Sequence, residues 1–356
     1  MAYKPPFELT ARILGLVADI AQSVGRVDAF GQLSRSPMLR KQNRIRTIHS
    51  SLAIENNTLS LDQVTAVVDG KRVIASPKDL LEVQNAIKVY GKLDSFDPLS
   101  VDDLLRAHKE LMGGLVPEAG MLRSGNVGVF AGDVLIHAGT PARYVPGVLS
   151  DLFAWLAKGD VHPLVASCVF HYEFEFIHPF QDGNGRMGRL WQTLILSRWN
   201  ELFAWLPVET LVKERQDEYY SILAASDERG DSTQFVEFML QIISEALLDA
   251  AMVGGNVGDD NGNLADNGGN HGGNGGNHGG KERGPEDAAA DGMQARRENM
   301  LALVRENPRI TVKQMAAELG ISMRQAERVV AELKRDGMLV HVGSNRNGHW
   351  EAPAAR

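Results

Sequence analysis

Two apolar runs with helical spacing, residues 164–177 and 189–199, stand on either side of a short polar stretch. That stretch, residues 178–189, reads His-Pro-Phe-Gln-Asp-Gly-Asn-Gly-Arg-Met-Gly-Arg and must be a tight loop joining two helices. Gly183 and Gly185 permit positive φ and close backbone approach. The second helix is expected to begin near Gly185, with its free N–H groups facing the loop. Such an end attracts anions, phosphate most commonly.

Each side chain in the loop then has a chemical use. His178, near neutral pKa, can take a proton from an attacking hydroxyl. Asp182 is a hard oxygen ligand, and Mg²⁺ takes one or two carboxylates plus substrate phosphates. Asn184 can donate to a phosphoryl oxygen that carries transition-state charge. Arg186 and Arg189 lie one helical turn apart and can fork onto phosphate oxygens. Together these suit the transfer of a phosphate-containing group to a hydroxyl, where positioning and electrostatics dominate. Taken singly, each feature is equally at home in an ordinary structural turn; the joint pattern carries the reading.

The remaining sequence frames this loop. A chain of 356 residues, 44% apolar, can build two domains with cores of their own. It contains no run of 18 apolar residues, so no membrane span is expected, and its N-terminus lacks a signal-peptide pattern. The single cysteine, Cys168, allows no internal disulfide and reads as a buried structural thiol; a cytoplasmic location is expected. Apolar periodicity predicts helices over 7–32, 37–56, 61–69, 78–94, 100–112, 146–158, 163–177, 185–200, 208–226 and 232–252. Residues 125–137, β-branched around Ala131-Gly-Asp133, predict a hairpin.

Residues 253–292 are Gly- and Asn-rich, carry no apolar pattern and read as a disordered linker; His271 and His278 within it are expected to be solvated. Residues 293–356 predict helix, helix, a Gly-Ile-Ser turn, helix and a short hairpin, an order that resembles a winged helix-turn-helix. This end carries 11 Lys and Arg against 7 Asp and Glu, whereas residues 1–292 carry 26 against 38. It is the part suited to DNA phosphates, with Arg324 and Arg328 on the third helix, although protein contact or homodimer formation fits equally.

The string from His178 to Arg189 matches, at every fixed position, the signature His-Pro-Phe-x-(Asp/Glu)-Gly-Asn-Gly-Arg-x-x-Arg, so residues 1–250 resemble Fic-domain proteins. The resemblance implies a helical core with one β-hairpin flap, and with the small C-terminal winged helix the whole chain is expected to be mainly α. The expected division is an N-terminal helical region at 1–110, a Fic core at 111–252, the linker, and 293–356. It implies an adenylyltransferase that moves AMP from ATP, with Mg²⁺ or Mn²⁺, to a Tyr, Thr or Ser hydroxyl of a target protein. By motif position His178 would be the base and Asp182 the metal ligand. Asn184 would hold the α-phosphate, Gly183 and Gly185 would line the anion cradle, and Arg186 and Arg189 would bind the outer phosphates. Phe180 would anchor the loop in the core. Tyr219 and Tyr220 fall where such proteins line the adenine pocket, and Ile136 falls in the flap.

Residues 51–56, Ser-Leu-Ala-Ile-Glu-Asn, end the second helix with Glu55 at the wrong end for the helix dipole. Plain exposure accounts for that placement on physical grounds. The resemblance implies another account, because the stretch fits the family's inhibitory pattern (Ser/Thr)-x-x-x-Glu-(Gly/Asn). Ser51 and Glu55 would then belong to a brake in which Glu55 pairs with Arg189 and keeps it from the γ-phosphate. Two other readings stay open: a nucleotide-sensing, DNA-bound regulator, and a Fic-fold enzyme that transfers or removes another phosphate-containing group. A zinc hydrolase is disfavoured, since His171 and Glu175 lie one turn apart on a helix patterned for the core.

Overall fold

The computed structural model describes residues 3–30, 36–131 and 134–255, and a discontinuous set between 297 and 351. Chain contacts divide it into two units, Met1–Ala265 and Asp266–Arg356.

The first unit is helical. After α1 (Ala11–Phe30), four consecutive helices start on a serine: α2 (Pro37–Ile54) after Ser36, α3 (Leu61–Val68) after Ser60, α4 (Pro77–Gly91) after Ser76 and α5 (Val101–Met112) after Ser100. Each serine hydroxyl accepts the N–H three residues on, satisfying one orphan donor of the first turn. Strands β1 (Gly128–Ala131) and β2 (Val134–Ala138) pair antiparallel, with a register irregularity between Val129 and Phe130. Helices α6 (Val145–Lys158), α7 (Pro163–Ile177), α8 (Asn184–Trp199), α9 (Val208–Glu214), α10 (Gln216–Arg229) and α11 (Thr233–Gly255) complete the unit.

The two apolar runs become α7 and α8, which are buried along nearly their whole length. One apolar core runs from Ile13 on α1 to Leu247 on α11. The expected boundary at residue 110 therefore falls inside α5, and the N-terminal helices share their core with the motif helices. Residues 3–10 are not helical, so the first helix begins later than its periodicity suggests. The helix expected over 208–226 is two, broken at Arg215 (φ −112°, ψ 34°). The break lets Lys213 and Gln216 both turn toward α2, as described below.

In the second unit, α12 (Val312–Glu318) precedes an antiparallel pair, β3 (Val340–Val342) and β4 (His349–Glu351). Its own small core includes Met300, Val304, Met315, Val329, Leu333 and Trp350. The Trp350 indole donates to Ile310 O at 2.9 Å and carries Lys334 Nζ over its face. Arg324, Arg328, His271 and His278 lie outside the described residues. Among the described residues no helix is long and apolar enough to cross a membrane.

Candidate functional site

The loop between α7 and α8 is held from within. His178 ends α7 in the left-handed region (φ 51°), its N–H closing on Phe174 O at 3.0 Å. Phe180 is fully buried and stacks on His108, ring centroids 3.6 Å apart. The Gly120 N–H donates to His108 Nδ1, so Nε2 carries the proton and donates to Asp182 O at 3.0 Å. Burial lowers the His108 pKa to about 4 and keeps the ring neutral for that task. Asn184 spans the loop: its Oδ1 accepts the Phe180 N–H and its Nδ2 donates to Phe180 O, both at 2.9 Å. The amide expected to meet a phosphoryl oxygen thus also closes the loop. Gly183 caps α8 at φ 88°, and a Cβ there would meet Met112 Sδ at 2.7 Å, so both its conformation and its surroundings require glycine.

Arg123, a residue no motif singles out, clamps the loop from outside. Its Nε donates to His178 O at 2.6 Å, its Nη1 to Gly125 O at 2.9 Å, and its Nη2 to Ile177 O and Thr140 O.

The charged groups are already committed. Asp182 is half exposed, and its Oδ1 accepts from the Gly183 N–H at 2.6 Å and from Arg186 Nη2 at 2.9 Å. Arg186 is buried and donates through Nη1 to Glu82 Oε1 at 3.0 Å. Glu82 in turn accepts from Asn57 Nδ2 at 2.8 Å, linking the loop to the end of α2. The guanidinium expected to grip outer phosphates therefore sits between two carboxylates.

Helix α2 ends in a tight cap. Asn56 takes φ 66°, its N–H returns to Ala53 O, and the Asn57 N–H returns to Leu52 O. This sharp turn aims Glu55 at the start of α8. Arg189 Nη2 donates to Glu55 Oε1 at 2.8 Å and to Ser51 O at 2.9 Å, and its Nε donates to Ser51 Oγ at 3.2 Å. The Glu55 carboxylate also lies directly over Gly185, where an added Cβ would collide with Oε1. Burial, the largest single cause, lowers the Arg189 pKa, but the charge and hydrogen bond of Glu55 together with Tyr219 and Glu175 outweigh it, and the net shift is upward. Two further side chains reach carbonyls at the end of α2: Lys213 Nζ donates to Ala53 O at 2.8 Å and Gln216 Nε2 to Ile54 O at 3.1 Å.

Beneath this pair, Tyr219 is only 1% exposed and its hydroxyl meets His171 Nε2 at 3.1 Å. That hydroxyl is committed to a fully buried imidazole, and little of the ring faces solvent. Tyr220 is 43% exposed, and burial followed by the Glu55 charge pushes its pKa up to about 12. Glu175 lies against Gly188, its pKa raised by burial to about 8. Ile136 lies in β2, and its side chain falls outside the described residues.

Sequence reasoning missed Glu82, His108, Arg123, Lys213 and Gln216. A lone histidine on the apolar face of α5 was the one local signal among them. No group of three or more metal-ligating side chains occurs among the described residues. A divalent ion would fit here through the half-exposed Asp182 together with substrate phosphates.

The Fic/DOC family model matches residues 98–196. The chain is 31% identical over 288 residues to the protein adenylyltransferase fic-1 of Caenorhabditis elegans, covering 73% of this chain and 54% of that protein. It is 30% identical over 234 residues to the protein adenylyltransferase Fic of Nematostella vectensis, covering 62% and 52%. The chain thus spans about half the length of these curated relatives. Among solved structures, Fic-1 of C. elegans matches with a TM-score of 0.56 at 27% identity over 68% of this chain and 75% of that one. A Fic family protein from Desulfovibrio desulfuricans G20 matches with a TM-score of 0.69 at 39% identity, covering 99% of both chains. With that similarity over its whole length and the motif folded as a loop between two buried helices, the chain belongs to the Fic/DOC family.

Proposed function

We propose that the chain is an autoinhibited protein adenylyltransferase that moves AMP from ATP to a hydroxyl of a target protein and of itself. The observation that carries this is the place of Glu55. A carboxylate lies over Gly185 at the start of α8 and on Arg189, where a helix N-terminus and a guanidinium together suit a phosphate. The acid excludes the outer phosphate of ATP from that spot and acts as the brake. With Glu55 withdrawn, Arg189 and the α8 N–H groups hold the triphosphate, and Asn184 and Arg186 contribute their remaining donors. Tyr219 and Tyr220 border the nucleotide, Tyr220 as the exposed ring and Tyr219 packed beside it. His178 removes the proton of the attacking hydroxyl. The hydroxyl oxygen bonds to the α-phosphorus as the bond to the β-phosphate oxygen breaks, releasing pyrophosphate. Mg²⁺ or Mn²⁺ would be held by Asp182 and would neutralise phosphate charge.

The buried Cys168, its pKa pushed up to about 12 by burial, suits a thiol with no redox role and is consistent with a cytoplasmic setting. The helices of the second unit followed by β3 and β4 support the winged-helix reading, with DNA or a protein as its partner.

The test uses ATP labelled at the α- or the γ-phosphate. Label should enter protein from the α position alone and require a divalent cation. His178→Ala should lower incorporation about 10²–10⁴-fold while ATP still binds. Incorporation of the γ-label, or full activity without His178, contradicts the proposal.

A further inference from the structure

We infer that Arg123 is a positioning residue that couples the β1–β2 hairpin to the backbone of His178. This rests on the transferase reading above. Four observations support it. His178 is a non-glycine residue at φ 51° immediately before Pro179, a conformation that surrounding structure must hold in place. The carbonyls of His178 and of Ile177 both accept from the Arg123 guanidinium, and the Arg123 N–H donates to Pro179 O at 3.0 Å. The same guanidinium also binds Gly125 O and Thr140 O, which lie just before β1 and just after β2. Arg123 is 4% exposed, and its partners among the described residues are all backbone carbonyls.

A buried cation with no carboxylate partner among the described residues is a poor device for stability alone. Its geometric yield is specific: one planar, five-donor group fixes both feet of a hairpin and the two residues that aim the imidazole. Lysine, a single point of charge, cannot reproduce the fork. An acceptor segment that displaces the hairpin would therefore act on His178 through Arg123, so that hairpin engagement and base alignment occur together.

The experiment compares Arg123→Lys and Arg123→Met in the full chain carrying Glu55→Gly. Both should keep the helical circular-dichroism signal and a KM for ATP within about twofold. The value of kcat should fall, about tenfold for Lys and about a hundredfold for Met, with a shifted acid limb in its pH profile. Gly139→Ala gives a milder probe should either variant fail to fold, because its methyl would lie 3.4 Å from Arg123 Nη2 and 3.3 Å from Val127. It should lower kcat several-fold and leave the ATP KM alone. Amide exchange reads the coupling without activity. The Gly139 and His178 N–H groups, bonded to Val127 O and Phe174 O, should exchange faster together in Arg123→Lys. Unchanged kcat, or exchange that rises at one of the two sites alone, overturns the inference. Absence of AMP transfer with Arg123 intact sinks the transferase reading instead, and the exchange result still decides the coupling.

Discussion

Glu55 and Arg189 meet at 2.8 Å across 134 residues of sequence, with the arginine side chain 2% exposed and the carboxylate 28%. The pair is asymmetric: Arg189 is fixed by Ser51 and by the rigid α8, whereas Glu55 is the last residue before a turn. Of the two partners, the acid is the one that can leave.

Gly185 should separate the brake from the cradle. In Gly185→Ala the new methyl collides with Glu55 Oε1, the free end of a flexible side chain, so the fold should survive. Alanine also favours the helix by roughly 0.5–1 kcal/mol over glycine. The methyl fills the space a phosphate needs, however. ATP affinity should drop at least about tenfold even though Glu55 is displaced. Calorimetry that shows unchanged ATP affinity would place the phosphate elsewhere.

The cap on α2 gives a graded version of release. Lys213→Met removes the hydrogen bond to Ala53 O, worth about 1 kcal/mol net. Self-modification should rise about fivefold, and the amides of residues 53–57 should exchange faster. Equal exchange in wild type and variant would show that the α9–α10 corner does not hold the end of α2.

Stability should fall at both ends of the pH scale, for opposite reasons. Burial lowers the His108 and His171 pKa values to about 4 and about 3. The unfolded chain takes up protons on such rings below about 6.5, so their contribution is present above that pH and is lost as pH falls through about 4. Burial raises Glu173 to about 7, Glu175 to about 8 and Glu209 to about 7. Unfolded, these acids ionise near about 4.3, so their contribution is present below that pH and is lost as pH rises through about 8. The two sets oppose one another in between and act alone outside that window. Urea midpoints should decline above about pH 6.5 and again below about pH 4.3. Glu173→Gln, which can still accept from the Tyr3 hydroxyl, should flatten the alkaline limb. An alkaline limb of the same slope in that variant refutes the assignment.

The motif loop was legible because both flanking segments carry apolar residues at helical spacing and its glycines stand where the backbone needs them. Gly183 shows this most directly, at φ 88° against Met112. The meeting of Glu55 with Arg189 followed from family resemblance, since helix-dipole reasoning left plain exposure equally open. What stayed hidden is tertiary. Arg123 and His108 act through main-chain carbonyls of a distant loop, a use that leaves no spacing pattern. The break at Arg215 was invisible because the polar run from Lys213 to Glu218 holds no Gly or Pro to mark a stop, and its use shows only in the bonds of Lys213 and Gln216 to the end of α2. Tyr219 and Tyr220, adjacent in sequence, look alike until the helix turns one into the core and the other toward solvent.

The most direct measurement is incorporation of α-labelled AMP at saturating ATP by wild type, by Glu55→Gly and by Glu55→Gly with Arg189→Ala. A charge-assisted pair contributes roughly 1.5–3 kcal/mol, so its loss should raise the competent population about one to two orders of magnitude. The account predicts that Glu55→Gly is at least about tenfold faster than wild type and that the double variant loses the gain. Equal rates in wild type and Glu55→Gly, or a double variant as fast as the single one, would contradict it.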